Sequence, residues 1–178
     1  IAEHPLGVET VVQRITNLLP AFFDISELFF LRVALDQDGR PSITKQLHLL
    51  KKWNAYDLSQ QEDFCTKWLS IKALEKDNTS FVQISKYADG AEYLILSIPK
   101  SSNRQTSITL GILLNKKNRK KFRLDWKQIA TVEVGHTCQR CAYENCPVRK
   151  SPPTVLEKQR DKALLTEQIN AFTSEKSP

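Results

Sequence analysis

Apolar residues follow helical spacing at the start of this chain and strand-like runs soon after. Between residues 6 and 19 they recur three or four positions apart, which is typical of an amphipathic helix, and Pro20 is expected to end it. From Leu28 to Leu35 almost every residue is apolar, as in a buried strand. Residues 42–47 follow an Asp- and Gly-containing turn and can pair back on that strand.

Three further strands are predicted in the middle of the chain. Asp89-Gly90 is a strong tight-turn signal between strands over residues 80–87 and 91–98. The second of these contains a continuous apolar run, so we expect it in the centre of the sheet. Residues 106–114 predict another strand.

Two residues do not fit the strands that contain them. Arg32 interrupts an apolar run, so it is expected either on the solvent face or as an anion-binding group inside a cavity. Gly111 lacks a side chain to pack, so it is expected at a bulge or where a ligand comes close to the backbone.

Helices are predicted on both sides of the central strands. Ser59-Gln60-Gln61-Glu62 has a capping-box pattern, and the helix that it starts carries Phe64, Cys65 and Trp68 on one apolar face. A second capping box at Thr154 starts a charged helix to about Phe172. The order of elements predicts an α+β domain around an antiparallel sheet.

Composition limits the classes of protein to consider. The chain has 178 residues, enough for one domain with an appended piece, and a formal net charge of +6. It begins without Met, so we interpret it as a fragment of a longer protein. No apolar run reaches the ~18 residues of a membrane span and no signal peptide is present, which predicts a cytoplasmic protein without membrane contact.

Cysteines supply the clearest chemical signal. Cys138, Cys141 and Cys146 have C-x2-C-x4-C spacing, and Cys65 lies far upstream. Without a secretory signal this pattern favours metal binding over disulfides. Zinc would take the three loop thiolates with His136 or Cys65, whereas an iron–sulfur cluster would take all four cysteines. Judged by its own segment alone, Cys65 is expected to be a buried core thiol.

No enzyme signature accompanies the cysteines. The sequence contains no zinc-protease, dinucleotide-binding or P-loop motif, and no nucleophile–base pair stands out. The basic run from Lys116 to Arg123, interpreted as a loop, fits either a solvated surface or a contact with phosphates of a ligand or a nucleic acid. We therefore expect a binding domain.

The sequence resembles the C-terminal sensor domain of the short-chain fatty acyl-CoA regulators, which are bacterial transcription factors. The resemblance covers most of residues 6–155. It is carried by Phe29 to Val33 with the turn and Ser42-Ile43 that follow, Cys65-Thr66-Lys67-Trp68, Tyr87 to Gly90 with Tyr93, Gly135 to Cys141, and Cys146 to Arg149 with Pro152-Pro153. Thr66 departs from the proline of the family pattern.

The resemblance implies properties that the residue pattern does not give. It implies a GAF-like fold, an acyl-CoA effector, and DNA binding through an N-terminal helix-turn-helix domain outside this chain. It also implies a [4Fe–4S] cluster, with Cys65 as the fourth ligand beside the cysteine loop. The expected organisation is a helix from an upstream domain over residues 1–20, the sensor domain over 21–155, and a helix with a frayed tail over 156–178.

We interpret the chain as an effector-sensing domain of a one-component regulator. Candidate groups for the CoA phosphates are Arg32, Lys116, Lys117 and Lys120, and candidate pocket residues are Phe30, Trp68 and Tyr87. The alternative is a zinc-stapled interaction domain without a small ligand. A homo-oligomer is left open by the sequence.

Overall fold

The structure is a computed structural model, and it describes residues 7–49, 63–75, 81–100 and 105–174. The chain separates into two compact units. The sheet unit comprises the described residues up to 49 and from 66 to 134, and the cysteine unit comprises residues 63–65 and 135–174. All four cysteines therefore belong to the cysteine unit.

Six strands form one open sheet in the order β2-β1-β5-β4-β3-β6. The strands are β1 (Leu28–Leu35), β2 (Pro41–His48), β3 (Val82–Lys86), β4 (Glu92–Pro99), β5 (Thr106–Leu113) and β6 (Thr131–Glu133). Four neighbouring pairs are antiparallel, and β6 runs parallel to β3. The predicted α+β class and the first five strands are confirmed, with β4 inside the sheet as expected. The purely antiparallel sheet is wrong, and the finer GAF-like assignment stays a prediction.

Helix α1 (Val8–Phe23) covers one face of the sheet. Val12 of α1 belongs to a buried cluster with Leu28, Phe30 and Ile108 of the strands. The prediction that Pro20 ends this helix is wrong, because Pro20 lies inside α1. The helix ends instead at Asp24, which takes a left-handed φ of 50°, and the next residue, Ile25, is buried.

The opposite face of the sheet is covered by a short helix, α2 (Leu69–Lys72). Leu69 packs there with Phe29, Leu31 and Ile95. Alternate residues of β1 thus serve both faces, as expected for a strand buried on two sides. The longer helix predicted from the capping box is wrong over residues 63–68, which form an isolated bridge and a turn; Ser59 to Glu62 lie outside the described residues.

Gly111 has a packing reason rather than the expected bulge or ligand approach. The pairing of β5 with β1 and with β4 continues through Gly111 without a register shift. A Cβ at this position would overlap the ring of Phe29. Gly111 therefore provides the space that the Phe29 ring occupies.

The basic run is a helix, α3 (Lys116–Lys121), and not the predicted loop. Asn115 caps it by accepting a hydrogen bond from the Asn118 N–H at 2.7 Å. Phe122, which follows α3, packs against the cluster under α1, so α3 lies on the α1 face of the sheet. In the cysteine unit, the predicted C-terminal helix is confirmed as α4 (Thr154–Ser174). No helix of the described residues is long and apolar enough to cross a membrane.

Candidate functional site

Two distant segments of the chain meet in the cysteine unit. Phe64 forms a bridge with Thr137. The N–H of Cys65 donates to the His136 carbonyl at 3.2 Å, and the N–H of Cys138 donates to the Asp63 carbonyl at 2.8 Å. Residues 63–65 are thus paired through their backbone with the entrance to the cysteine loop. This long-range pairing explains why the local helical pattern around Cys65 does not produce a helix.

Side chains reinforce the pairing. The amide oxygen of Gln139 accepts from the Asp63 N–H at 3.1 Å, and its Nε2 donates to the Asp63 carboxylate at 3.3 Å. The Ser151 hydroxyl donates to the same carboxylate. Asp63 therefore connects the segment containing Cys65 to both ends of the cysteine loop.

The loop itself is organised around Arg149. Its guanidinium donates to the carbonyls of Cys138 at 3.0 Å, of Cys141 at 3.4 Å, and of Tyr143. One cation thus binds three carbonyls of the loop, of which that of Cys138 also accepts from the Cys141 N–H at 3.3 Å. The first turn of the loop, Cys138–Arg140, is a 3-10 helix.

The sulfur atoms of Cys138 and Cys141 each have a close backbone neighbour. The Lys150 N–H donates to Cys138 Sγ at 3.4 Å. A Cβ on Gly135 would lie 2.8 Å from Cys141 Sγ, so only glycine leaves this sulfur its present position without a shift. Backbone N–H groups that donate to sulfur stabilise thiolates and tune the metals they bind.

The four thiols belong to one compact unit but are not gathered into one ligand set among the described residues. Cys65, Cys138 and Cys141 are buried, Cys146 is half-buried, and no disulfide joins these four described residues. Among the described residues, no three Cys, His, Asp or Glu side chains are near enough to hold a metal ion. The donor chemistry fits a thiolate-bound centre, since thiols and an N–H directed at sulfur are present in one unit, and occupation would require the sulfurs to converge.

A small cavity lies in the sheet unit, on the α2 face of the sheet. It has a volume of about 20 Å³ and is lined by Phe29, Leu31, Trp68, Leu69, Ser70, Ser85, Tyr87, Ile95 and Thr109. This is room for about one water molecule. The structure thus brings together two of the predicted pocket residues, Trp68 and Tyr87, and adds hydroxyl groups that the sequence did not indicate.

The aromatic surroundings of Phe29 remain uncharged at neutral pH. Its ring centre lies 6.2 Å from that of His48 and 5.7 Å from that of Tyr93. Burial lowers the pKa of His48, and burial, with smaller contributions from Asp89 and Glu27, raises the pKa of Tyr93 to about 12. An apolar ligand on this face would therefore meet neutral side chains.

The other predicted ligand residues lie on the α1 face. Phe30 is buried against α1. Arg32 donates to Thr44 at 2.8 Å and to Glu9 of α1 at 3.3 Å. Glu9 also pairs with Lys45 at 3.4 Å and with Lys100 at 3.0 Å. Arg32 is thus occupied by a carboxylate of the chain itself.

The α3 lysines, which we define as Lys116, Lys117, Lys120 and Lys121, are all exposed. Lys117 and Lys121 pair with Asp24. The α3 lysines lie on the α1 face of the sheet, whereas Trp68 and Tyr87 line the cavity on the α2 face. The structure therefore does not bring the predicted phosphate-binding cations and the predicted pocket aromatics together.

Comparison with solved structures supports this fold. A structure described as a Mycobacterium tuberculosis transcriptional regulator matches with a TM-score of 0.59 and 20% identity. The match covers 83% of this chain and 46% of the other, so this chain spans about half of that protein. No curated protein matches the sequence.

Most of the chain matches a protein-family model. The family model described as "Short-chain fatty acyl coenzyme A regulator, C-terminal" matches residues 28–168. The chain is therefore a regulatory sensing domain and not an enzyme. It belongs to the short-chain fatty acyl-CoA regulator family, as its C-terminal domain.

Sequence reasoning missed the residues that hold the cysteine loop. Asp63 and Gln139 carry no local signal, because their partnership depends on a contact between distant segments. Arg149 and Gly135 were within the resembling stretches but were given no role. The cysteine spacing marked the site, and a search for cations and glycines close to it in the sequence would have found these two.

Proposed function

We propose that this chain is the effector-sensing domain of a one-component bacterial transcriptional regulator. Its effector is a short-chain acyl-CoA, and Cys65, Cys138, Cys141 and Cys146 hold a [4Fe–4S] cluster. DNA is bound by a helix-turn-helix domain outside this chain. Family membership supports the regulatory role, and the single observation that supports the cysteine site is that all four cysteines belong to one compact unit.

The cavity on the α2 face is the proposed entry point for the acyl group. Phe29, Trp68 and Ile95 offer apolar surface, and Ser70, Ser85 and Thr109 offer hydroxyl groups for the thioester carbonyl. At about 20 Å³ the cavity is too small for an acyl chain, so the effector would bind a more open conformation and increase its population. Trp68 precedes the four-residue α2 and is 6% exposed, so enlarging the cavity would require this side chain to move.

Strand β1 is the proposed route from the cavity to α1. Phe29 and Leu31 line the cavity, while Phe30 and Arg32 contact α1 from the other side of the same strand. A displacement of β1 that enlarges the cavity would therefore alter the packing of α1. The assignment of Arg32, Lys116, Lys117 and Lys120 to the CoA phosphates stays a prediction.

The cysteine site would respond to a second input. When bound, an iron–sulfur cluster supplies a centre that oxygen or nitrosative stress can destroy. Cys65 would connect the 63–65 segment to the loop, and Arg149 and Asp63 would hold the loop for its thiolates. Loss of the cluster would then leave that connection to hydrogen bonds alone.

Thermal unfolding with a panel of acyl-CoAs tests the effector. A ligand at about 100 times its Kd is expected to stabilise the protein by about 2.7 kcal/mol. Trp68→Phe is expected to change the preferred chain length or weaken binding about tenfold. Trp126→Phe, on the α1 face, is the matched control and is expected to bind normally. No stabilisation by any acyl-CoA would overturn the effector assignment.

Anaerobic purification with iron, sulfide and zinc analysis tests the metal. We expect about four irons and four sulfides per chain, lost in Cys65→Ser and retained in His136→Ala. Zinc without sulfide, lost in His136→Ala, would instead support a zinc-stapled domain. Cys65→Ser with unchanged cluster content and stability would contradict the four-cysteine assignment.

A further inference from the structure

We propose that the α3 lysines form a contact surface for the phosphate backbone of double-stranded DNA. This contact would be additional to any made by a separate DNA-binding domain. This surface lies outside the proposed effector site. The proposal depends on the regulatory function for one step, which is the choice of DNA over other polyanions.

The geometry of α3 directs its four lysines to one side. With 3.6 residues per turn, Lys116, Lys117, Lys120 and Lys121 fall within an arc of about 140°. Asn118 lies on the opposite side of the helix and is 3% exposed. Lys116, Lys117 and Lys120 are exposed, so the charged side of α3 is also its solvent side. The Lys121 side chain is 26% exposed, because its amine contacts the end of α1.

The inward residues fix α3 on the sheet unit. Asn118 Nδ2 donates to the Leu113 carbonyl at 2.9 Å, and its N–H donates to the capping Asn115. Arg119 pairs with Glu92 and lies 5.0 Å from the centre of the Trp126 ring. Asn118 and Arg119 therefore hold α3 on the sheet unit. Of the α3 lysines, Lys117 and Lys121 also contact the end of α1.

The charge on this surface is poorly balanced. Asp24 pairs with both Lys117 and Lys121, whereas Lys116 and Lys120 form no ion pair with any described residue. Like charges four residues apart on a helix disfavour it by about 0.2–0.5 kcal/mol per pair. A bound polyanion would remove that repulsion.

The dimensions of α3 suit a nucleic-acid backbone. Five steps from Lys116 to Lys121 span about 7.5 Å at about 1.5 Å per residue. Phosphates of one DNA strand recur about every 3.4 Å along the axis, so the lysines face two or three of them. A backbone contact needs no residues that recognise bases, and α3 offers none.

An anionic lipid surface is the competing partner. Phe22 and Phe23 at the end of α1 are 74% and 60% exposed, and Lys121 donates to the Phe23 carbonyl at 2.7 Å. Exposed aromatic residues beside lysines can also enter a membrane interface. We favour DNA because the chain belongs to a family of regulators, and the experiment separates the two.

Fluorescence anisotropy with a short duplex of arbitrary sequence at several salt concentrations tests the surface. If the lysines contact two or three phosphates, the slope of log K against log salt should be about −2 to −3. Lys116→Gln with Lys120→Gln is expected to reduce that slope by about 2. Lys158→Gln with Lys162→Gln on α4 is the matched control, since these exposed lysines have the same spacing, and it should reduce the slope less.

The outcomes are distinct. Equal effects of the two double variants, or no salt-dependent binding, would overturn the proposal. The proposal would also be overturned if phosphatidylserine vesicles displace the DNA and this displacement requires Phe22 and Phe23. DNA binding in a protein that no acyl-CoA stabilises would reject only the effector.

Discussion

The buried side chains of the sheet unit include Phe30, Ile108 and Ile112, whereas those of the cysteine unit, among its described residues, are Cys65, Thr137, Cys138 and Cys141. In the sheet unit, burial contributes roughly 25 cal/mol of stability per Å² of apolar surface removed from water. The cysteine unit depends instead on hydrogen bonds around thiols. Small units without an apolar core commonly require disulfides or metals. In the cysteine unit, the cysteines therefore take the place of a hydrophobic core as well as forming a candidate site.

The largest effect is expected from the core of the sheet unit. Ile108→Ala removes a side chain that is fully buried against α1, and we expect a loss of about 2–5 kcal/mol of unfolding free energy. Denaturant unfolding would measure it. Leu165→Ala on α4, where the side chain is 58% exposed, is the control and should cost about 0.5 kcal/mol or less. Similar losses in both variants would show that apolar burial does not stabilise the sheet unit more than the exposed face of α4.

Gly111→Ala is expected to cost about 1–3 kcal/mol by overpacking. Its Cβ overlaps the Phe29 ring, which must move. Phe29→Leu in the same chain should recover part of the loss, because the two changes share one space. Thermal unfolding of the single and double variants tests this, and additive losses would show that the two sites are not in conflict.

Arg149→Lys tests how far the cysteine unit depends on hydrogen bonds. Lysine cannot reach three carbonyls with a planar group, so we expect the cysteine loop to open more easily by about 1–2 kcal/mol. That corresponds to roughly 5–30-fold faster modification of Cys138 and Cys141 by a thiol reagent. The unfolding midpoint of the sheet unit should not change. Arg160→Lys on α4 is the control, and equal thiol rates in both variants would refute the role of Arg149.

Glu9→Gln is expected to have the smallest effect, about 1 kcal/mol at neutral pH. The hydrogen bond from Lys100, followed by the charges of Lys100 and Arg32, holds the pKa of Glu9 below its ordinary value of 4.5. This stabilisation is complete above pH 4.5 and is lost as pH falls through the lowered pKa of the folded state. Wild type and variant should therefore converge in acid, whereas Glu167→Gln should match wild type throughout. A difference that persists in acid would exclude an electrostatic origin.

Local patterns predicted the parts of the fold that depend on neighbours in sequence. The apolar run of β1, the Asp89-Gly90 hairpin and α4 all follow from a few consecutive residues. The α3 helix was missed because a run of basic residues has no apolar face. Its formation depends on Asn115 as cap and on Asn118, a polar residue that the sheet unit buries.

Predictions failed where distant segments decide the structure. The apolar spacing around Cys65 favours a helix, but backbone pairing with residues 136–138 prevails. Arg32 gave no indication that its partner would be Glu9, on a helix assigned to another domain. The cysteine spacing identified the site, while the residues that position it became visible only in the fold.

The two ends of the sheet protect it from uncontrolled growth. At one end, β2 begins with Pro41, carries Lys45 and is paired through a bulge after Arg32. At the other end, β6 has three residues. Proline, lysine, bulges and short length each discourage a further strand from joining an open sheet. Edge-to-edge pairing between copies of this domain is therefore disfavoured at both ends of the sheet.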